Sequence, residues 1–228
     1  MSDKSVESRR VRVWDAPTRL AHWAIASLFG FCWWSAKSDH MQWHRIAGYG
    51  LLGVVLFRLC WGFLGGSTAR FANFVRSPIA TWRYASKLFA RDRDRSSKPI
   101  GHNPLGGWSI LAMLGLLLAQ TVFGLFSVDV DGVVSGPWAK WVRFETGRRF
   151  AHLHDANFHL LLILIGLHLS AITFYRLARK ESLVPAMIHG YKTDVSTEAP
   201  PSFVPWWRAA LLAAAVCLVV VYITQAKL

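Results

Sequence analysis

The sequence predicts an all-α integral membrane protein: a four-helix transmembrane bundle with a fifth transmembrane helix added. Three observations carry this. Of 228 residues, 53% are hydrophobic and only 17% charged, against about 25% charged in a soluble domain. Five apolar runs approach or reach the roughly 20 residues that cross a hydrocarbon core. The 12 Trp and 14 Phe suit the aromatic belts of the lipid–water boundary. Disorder, a coiled coil and a disulfide scaffold are thereby excluded. A formal charge of +13 raises the question of nucleic acid. The basic residues lie between the apolar runs rather than on one surface, so membrane lipid and topology account for them and no nucleic-acid partner is expected. Cys32, Cys60 and Cys217 stand alone in apolar stretches with no C-x-x-C spacing, as small core residues do.

Taken in order, residues 1–19 form a polar N-terminal tail, and 20–36 is a first run without charge. No signal peptide is expected, because that run is Trp-rich and lacks a small-residue cleavage site. The second run, 46–64, holds a single charge, Arg58. In the connector that follows, residues 77–91 space Ile79, Trp82, Ala85, Leu88 and Phe89 at helical intervals, which predicts an amphipathic helix on the inner membrane surface. The runs 108–128 and 158–175 are free of charge and complete a core over 20–177. A linker over 178–205, with Pro200, Pro201 and Pro205, precedes the additional helix of 206–228. Positive charge collects in the tail (Arg9, Arg10, Arg12, Arg19), in the long connector (Arg70, Arg76, Arg83, Lys87) and after the fourth run (Arg176, Arg179, Lys180, Lys192). The other loops hold fewer basic residues, so the N-terminus is expected in the cytoplasm and the C-terminus on the periplasmic side.

Ionisable groups at membrane depth are costly and point to function. The four core runs contain no Asp or Glu, which argues against a carboxylate proton relay, a di-iron site or a calcium site. Histidines remain, and haem is their simplest occupant because the porphyrin brings four nitrogens and needs two axial imidazoles. His154 and His168 lie 14 residues apart, so they face within about 40° of each other and about 21 Å apart along one helix. His152 and His159 point away from that face. Chain direction puts His22 and His168 at one depth and His44 and His154 at the other, one pair for an inner haem iron and one for an outer. Arg58 follows His44 by 14 residues near the inner depth, where a haem propionate would pair with it; the alternative is snorkelling to the headgroups. Before the third helix, Asn103-Pro104 forms a cap signature. His102 there is either a boundary histidine or, with Asn103, a contact for a quinone carbonyl.

At these residues the sequence resembles the bacterial cytochrome b561 family and the related b-type cytochrome subunit of Ni,Fe-hydrogenases. The matching pieces are Val13-Trp14-Asp15-Ala16-Pro17-Thr18-Arg19 with His22-Trp23, and His44-Arg45-Ile46-Ala47-Gly48-Tyr49 with Arg58. Gly101-His102-Asn103-Pro104-Leu105-Gly106, His154 and Gly166-Leu167-His168 continue them. The resemblance, over roughly residues 11–192, implies a bacterial inner-membrane protein with two non-covalent b haems, each held by two histidines. It further implies electron transfer between membrane quinone and a redox partner, either a c-type cytochrome or an oxidoreductase subunit. The fifth helix lies outside the usual core. The family also implies an alternative, a stand-alone superoxide:quinone oxidoreductase whose Lys140, Arg143, Arg148 and Arg149 would steer a small anion. A haem-free transporter or anchor fits the apolar runs but not the histidine spacing. No catalytic residue is assigned.

Depth matching makes a spectroscopic prediction. His22→Ala and His168→Ala should remove the same haem, and His44→Ala and His154→Ala the other. Identical residual spectra from His22→Ala and His154→Ala would refute the topology.

Overall fold

A computed structural model describes residues 10–89, 103–130, 134–193 and 201–225. Helix α1, Ala16–Lys37, begins where the Asp15 side chain accepts from the Thr18 amide at 2.8 Å, with Pro17 in the first turn. It ends at Ser38, and Asp39 takes a left-handed φ of 57°. Asp tolerates that conformation, and the chain reverses into α2, Met41–Leu64. The short α3, Phe71–Phe74, and α4, Pro78–Phe89, follow. Asn103 caps α5, Pro104–Phe126, by accepting from the Gly106 amide at 2.7 Å, as the cap signature predicts. A 3-10 turn at Ala139–Trp141 leads to α6, Phe144–Ala178, then α7, Val184–His189, and α8, Trp206–Gln225.

Helix α1 packs along α2 and α5 along α6, while α2 joins the two hairpins through α5 and carries α8 beside it. Where the hairpins meet, Leu51, Val55, Leu117 and Leu161 are buried, with Ile25, Leu28 and Phe29 of α1 against them. Between α1 and α6 the contact runs through rings, with Phe158 5.8 Å from both Phe29 and Trp33. Among the described residues four helices, α2, α5, α6 and α8, are long and apolar enough to cross a membrane. The sequence predicts five. Helix α1 has the length, 22 residues or about 33 Å. Its His22, Trp23, Trp33 and Trp34 dilute the apolarity, because imidazole and indole each carry a polar nitrogen.

The face that carries residues 10–15 (the tail side) is closed by a cap. Strand β1, Val11–Arg12, pairs antiparallel with β2, Tyr191–Lys192, so residues expected as tail and linker meet. The amides of Val13 and Trp14 both donate to the Gly190 carbonyl, at 2.7 and 3.1 Å. Gly190 has φ 87°, a conformation that favours glycine. The Arg19 guanidinium donates to the Ile188 carbonyl, and Trp23 Nε1 to that of Met187 at 3.3 Å. Helix α8 is fastened at both ends. The Ser67 amide donates to the Ser202 carbonyl at 2.9 Å, and on the opposite, far side Trp138 Nε1 donates to the Ile223 carbonyl at 2.9 Å. Helix α4 spans most of the amphipathic segment expected over 77–91 and leaves Ile79 and Trp82 exposed.

Asp15 ties the cap to the bundle: it is 4% exposed, starts α1, and accepts from the buried Trp61 Nε1 at 3.0 Å. Asp15→Ala removes the helix cap and strands a buried indole N–H, so it should cost about 2–4 kcal/mol. A lowered thermal midpoint of the detergent-solubilised protein would show it.

Candidate functional site

Four histidines meet in two pairs. On the tail side, the ring centroids of His22 on α1 and His168 on α6 lie 6.4 Å apart, with planes at 53°. On the far side, His44 on α2 and His154 on α6 lie 6.1 Å apart, with planes at 80°. These are the pairs that depth matching selects. Among the described residues no three or more His, Cys, Asp and Glu side chains gather as a metal cluster. Paired imidazoles therefore suit a metal that arrives with its own equatorial ligands. Two imidazoles bonded at about 2 Å to one iron would have centroids about 6 Å apart, so both separations fit haem.

The far-side rings are oriented by backbone. His44 Nδ1 donates to the Cys32 carbonyl at 2.9 Å, and His154 Nδ1 to the Gln120 carbonyl at 2.9 Å. A carbonyl can only accept, so both Nδ1 atoms carry the proton and both Nε2 atoms keep a lone pair. One turn beyond His44, Gly48 faces open space, with no atom within 4 Å of the position a Cβ would take. On the tail side, His22 Nδ1 is buried without a hydrogen bond. His152 and His159 are exposed, and His159 Nδ1 bonds the Asp155 carbonyl of its own helix.

Arg58 is 5% exposed near the tail-side end of α2. Its Nη1 lies 3.5 Å from the Ala69 carbonyl, and its guanidinium sits 5.3 Å from the Phe71 ring centroid. One turn beyond Arg58 on the same helix, Trp61 Nε1 donates to Asp15 Oδ2 at 3.0 Å. A buried carboxylate thus meets the same stretch of α2, one that the absence of acids from the apolar runs hides. Asn103 uses its carboxamide twice, capping α5 and donating from Nδ2 to Tyr175 Oη at 2.7 Å. Tyr84 of α4 meets the same hydroxyl at 3.0 Å. His102 lies outside the described residues. Sequence reasoning missed the cap and Trp61 contacts of Asp15, the two tyrosines, and the buried Gln120 and Asn157. The available signals were an Asp before Ala-Pro and a lone carboxamide in the apolar run of α5.

Comparison with known proteins adds to this geometry. The model of the family described as prokaryotic cytochrome b561 matches residues 13–190. A probable Ni/Fe-hydrogenase B-type cytochrome subunit of Cupriavidus necator is 23% identical, covering 84% of this chain and 90% of that protein. Proteins of the same description from Azotobacter chroococcum and Azotobacter vinelandii are each 25% identical, covering 83% of this chain and 91% of theirs.

The surroundings of Arg58 separate two roles. If it pairs with a haem propionate, Arg58→Leu should lower the midpoint potential of the tail-side haem and leave the far-side haem in place, since a nearby cation favours the reduced state. If Arg58 has no propionate partner, a redox titration of Arg58→Leu should match that of the parent protein.

Proposed function

The chain belongs to the prokaryotic cytochrome b561 family, and from that premise we propose a di-haem electron-transfer subunit of the bacterial inner membrane, working between quinone and a redox partner protein. The observation that carries the reading is the two facing histidine pairs, 6.4 and 6.1 Å between centroids, at two depths along one helix. Haem b, held by His22 with His168 and by His44 with His154, supplies one-electron redox chemistry at each depth. The chain contributes orientation and exclusion. Carbonyl-bound Nδ1 atoms leave Nε2 as the free ring nitrogen of both His44 and His154, and Leu51, Val55, Leu117 and Leu161 keep the core between the hairpins dry. Excess positive charge on the tail side supports a cytoplasmic N-terminus and a periplasmic C-terminus.

A quinone site on the tail side is supported by Asn103, Tyr175 and Tyr84, linked at 2.7 and 3.0 Å. Tyr175 follows His168 by two turns on the same helix face, which puts its hydroxyl on the tail-side flank of that pair as a donor for a quinone carbonyl. A redox partner is supported by the relatives, described as hydrogenase cytochrome subunits, and by the far-side surface. Arg143 and Arg149 are exposed there beside Trp141 and Phe144, a composition that suits an acidic protein face. The partner proposed is accordingly a hydrogenase-type oxidoreductase subunit.

A pyridine haemochrome assay on protein in lipid nanodiscs should return two haems per chain, and one or none would overturn the reading. Anaerobic quinol should reduce both. Tyr175→Phe should slow that reduction roughly tenfold, about the worth of one hydrogen bond, without changing haem content. Rapid reduction by superoxide in a protein inert to quinol would refute it too.

A further inference from the structure

Helix α5 carries no histidine, yet three successive turns of it touch the surroundings of His154. The Leu116 carbonyl accepts from Asn157 Nδ2 at 2.9 Å, and Gln120 Oε1 accepts from the same nitrogen at 2.6 Å. The Gln120 carbonyl accepts from His154 Nδ1 at 2.9 Å. At Gly124 a Cβ would stand 3.2 Å from His154 Cε1 and 3.4 Å from Nδ1. These positions recur every four residues and so share one helix face. On α6, Asn157 lies three residues beyond His154 and faces the same neighbour. Asn157 is 5% exposed and Gln120 7%. In a dry helix interface these bonds cannot be exchanged for bonds to water, so they resist any slide of α6 along α5.

We propose that Asn157 and Gln120 are positioning residues for His154, locking α5 and α6 at the register in which the histidine reaches the Gln120 carbonyl across Gly124. The inference rests on the reading of His154 as an axial ligand. The lock fixes three things: the proton on Nδ1, the lone pair on Nε2, and the 80° angle between the His154 and His44 planes. A carbonyl bonded to Nδ1–H makes an imidazole a stronger donor to its metal, which favours the oxidised state. Slippage would weaken that bond, raise the far-side potential and rotate the ring. Gln120 and Asn157 thus tune a centre that neither touches.

The test uses the full-length holoprotein, read by redox titration and low-temperature electron paramagnetic resonance, with the far-side signal identified as the one lost in His154→Ala. Asn157→Leu and Gly124→Ala should each retain both haems, shift the low-field feature of the far-side haem, raise its potential and leave the tail-side haem unchanged. Gly115→Ala, where a Cβ would meet nothing within 4 Å, should change neither. The exchanged pair Gln120→Asn with Asn157→Gln keeps two carboxamides in contact and should restore much of the parent signal, a coupling that a purely structural loss would not give. If Asn157→Leu does not assemble, Gly124→Ala decides alone. Loss of one haem in His154→Ala with parent-like far-side signals in Asn157→Leu and Gly124→Ala overturns the positioning role while sparing the ligand assignment. Equal shifts at both haems overturn it as well. Both haems surviving in His154→Ala would overturn the ligand assignment, and the positioning role with it.

Discussion

A neutral imidazole set among apolar helices needs partners for one donor and one acceptor, and the far-side half of this structure is arranged around that requirement. On the far side the donors are answered by backbone carbonyls, one from α1 and one from α5. Each of those helices has been brought within hydrogen-bonding distance of a histidine on a neighbouring one. The Nε2 atoms are then the ones left to accept. Where no water is present to substitute, a carbonyl at the wrong height would leave a donor bare, at about 1–3 kcal/mol. Helix register is thereby tied to ring chemistry.

Inside lipid, helices gain little from leaving their apolar surroundings, so close packing and interhelical hydrogen bonds decide how they assemble. The polar contacts here are few and placed accordingly. Asn157 with Gln120 ties α5 to α6, Cys32 with His44 ties α1 to α2, and Trp138 with Ile223 ties α8 to the far-side loop. Helix α6 measures the bundle. Its 35 residues extend about 52 Å, longer than a hydrocarbon core, and one of its faces supplies a histidine to each depth. The other helices are arranged around those two heights.

The histidine pairs were legible in the sequence because helical pitch converts spacing into angle and height, and alternating chain direction converts height into partners. Asn103 was legible for a similar reason, since a cap is a local pattern. Asp15 was not, because it stands just before the first apolar run while its partner Trp61 lies at the end of the second. The Asn157–Gln120 contact was hidden further still. It depends on the register between two helices, and no periodicity within either one records that. The two-residue strands β1 and β2 are too short to carry an alternating pattern, so the tail and linker read as unstructured polar segments. Indole-rich α1 showed the converse: the charge-free run 20–36 within it marked it as a span, although its mean hydropathy alone does not.

The cap on the tail side also imposes an order of assembly. The far-side anchors are close in sequence, 12 residues between Cys32 and His44 and 34 between Gln120 and His154. The contacts that seat the start of α1 beside His22 reach across 164 and 169 residues, to Met187 and Ile188. A ribosome adding about 5–20 residues per second needs roughly ten to thirty seconds to supply those distant partners. During that interval the first turn of α1 stays unclasped. The far-side pair is complete once α6 has passed His154, whereas the tail-side clasp must wait for α7. By sequence separation alone, the surroundings of the tail-side histidine pair are therefore the last to be completed.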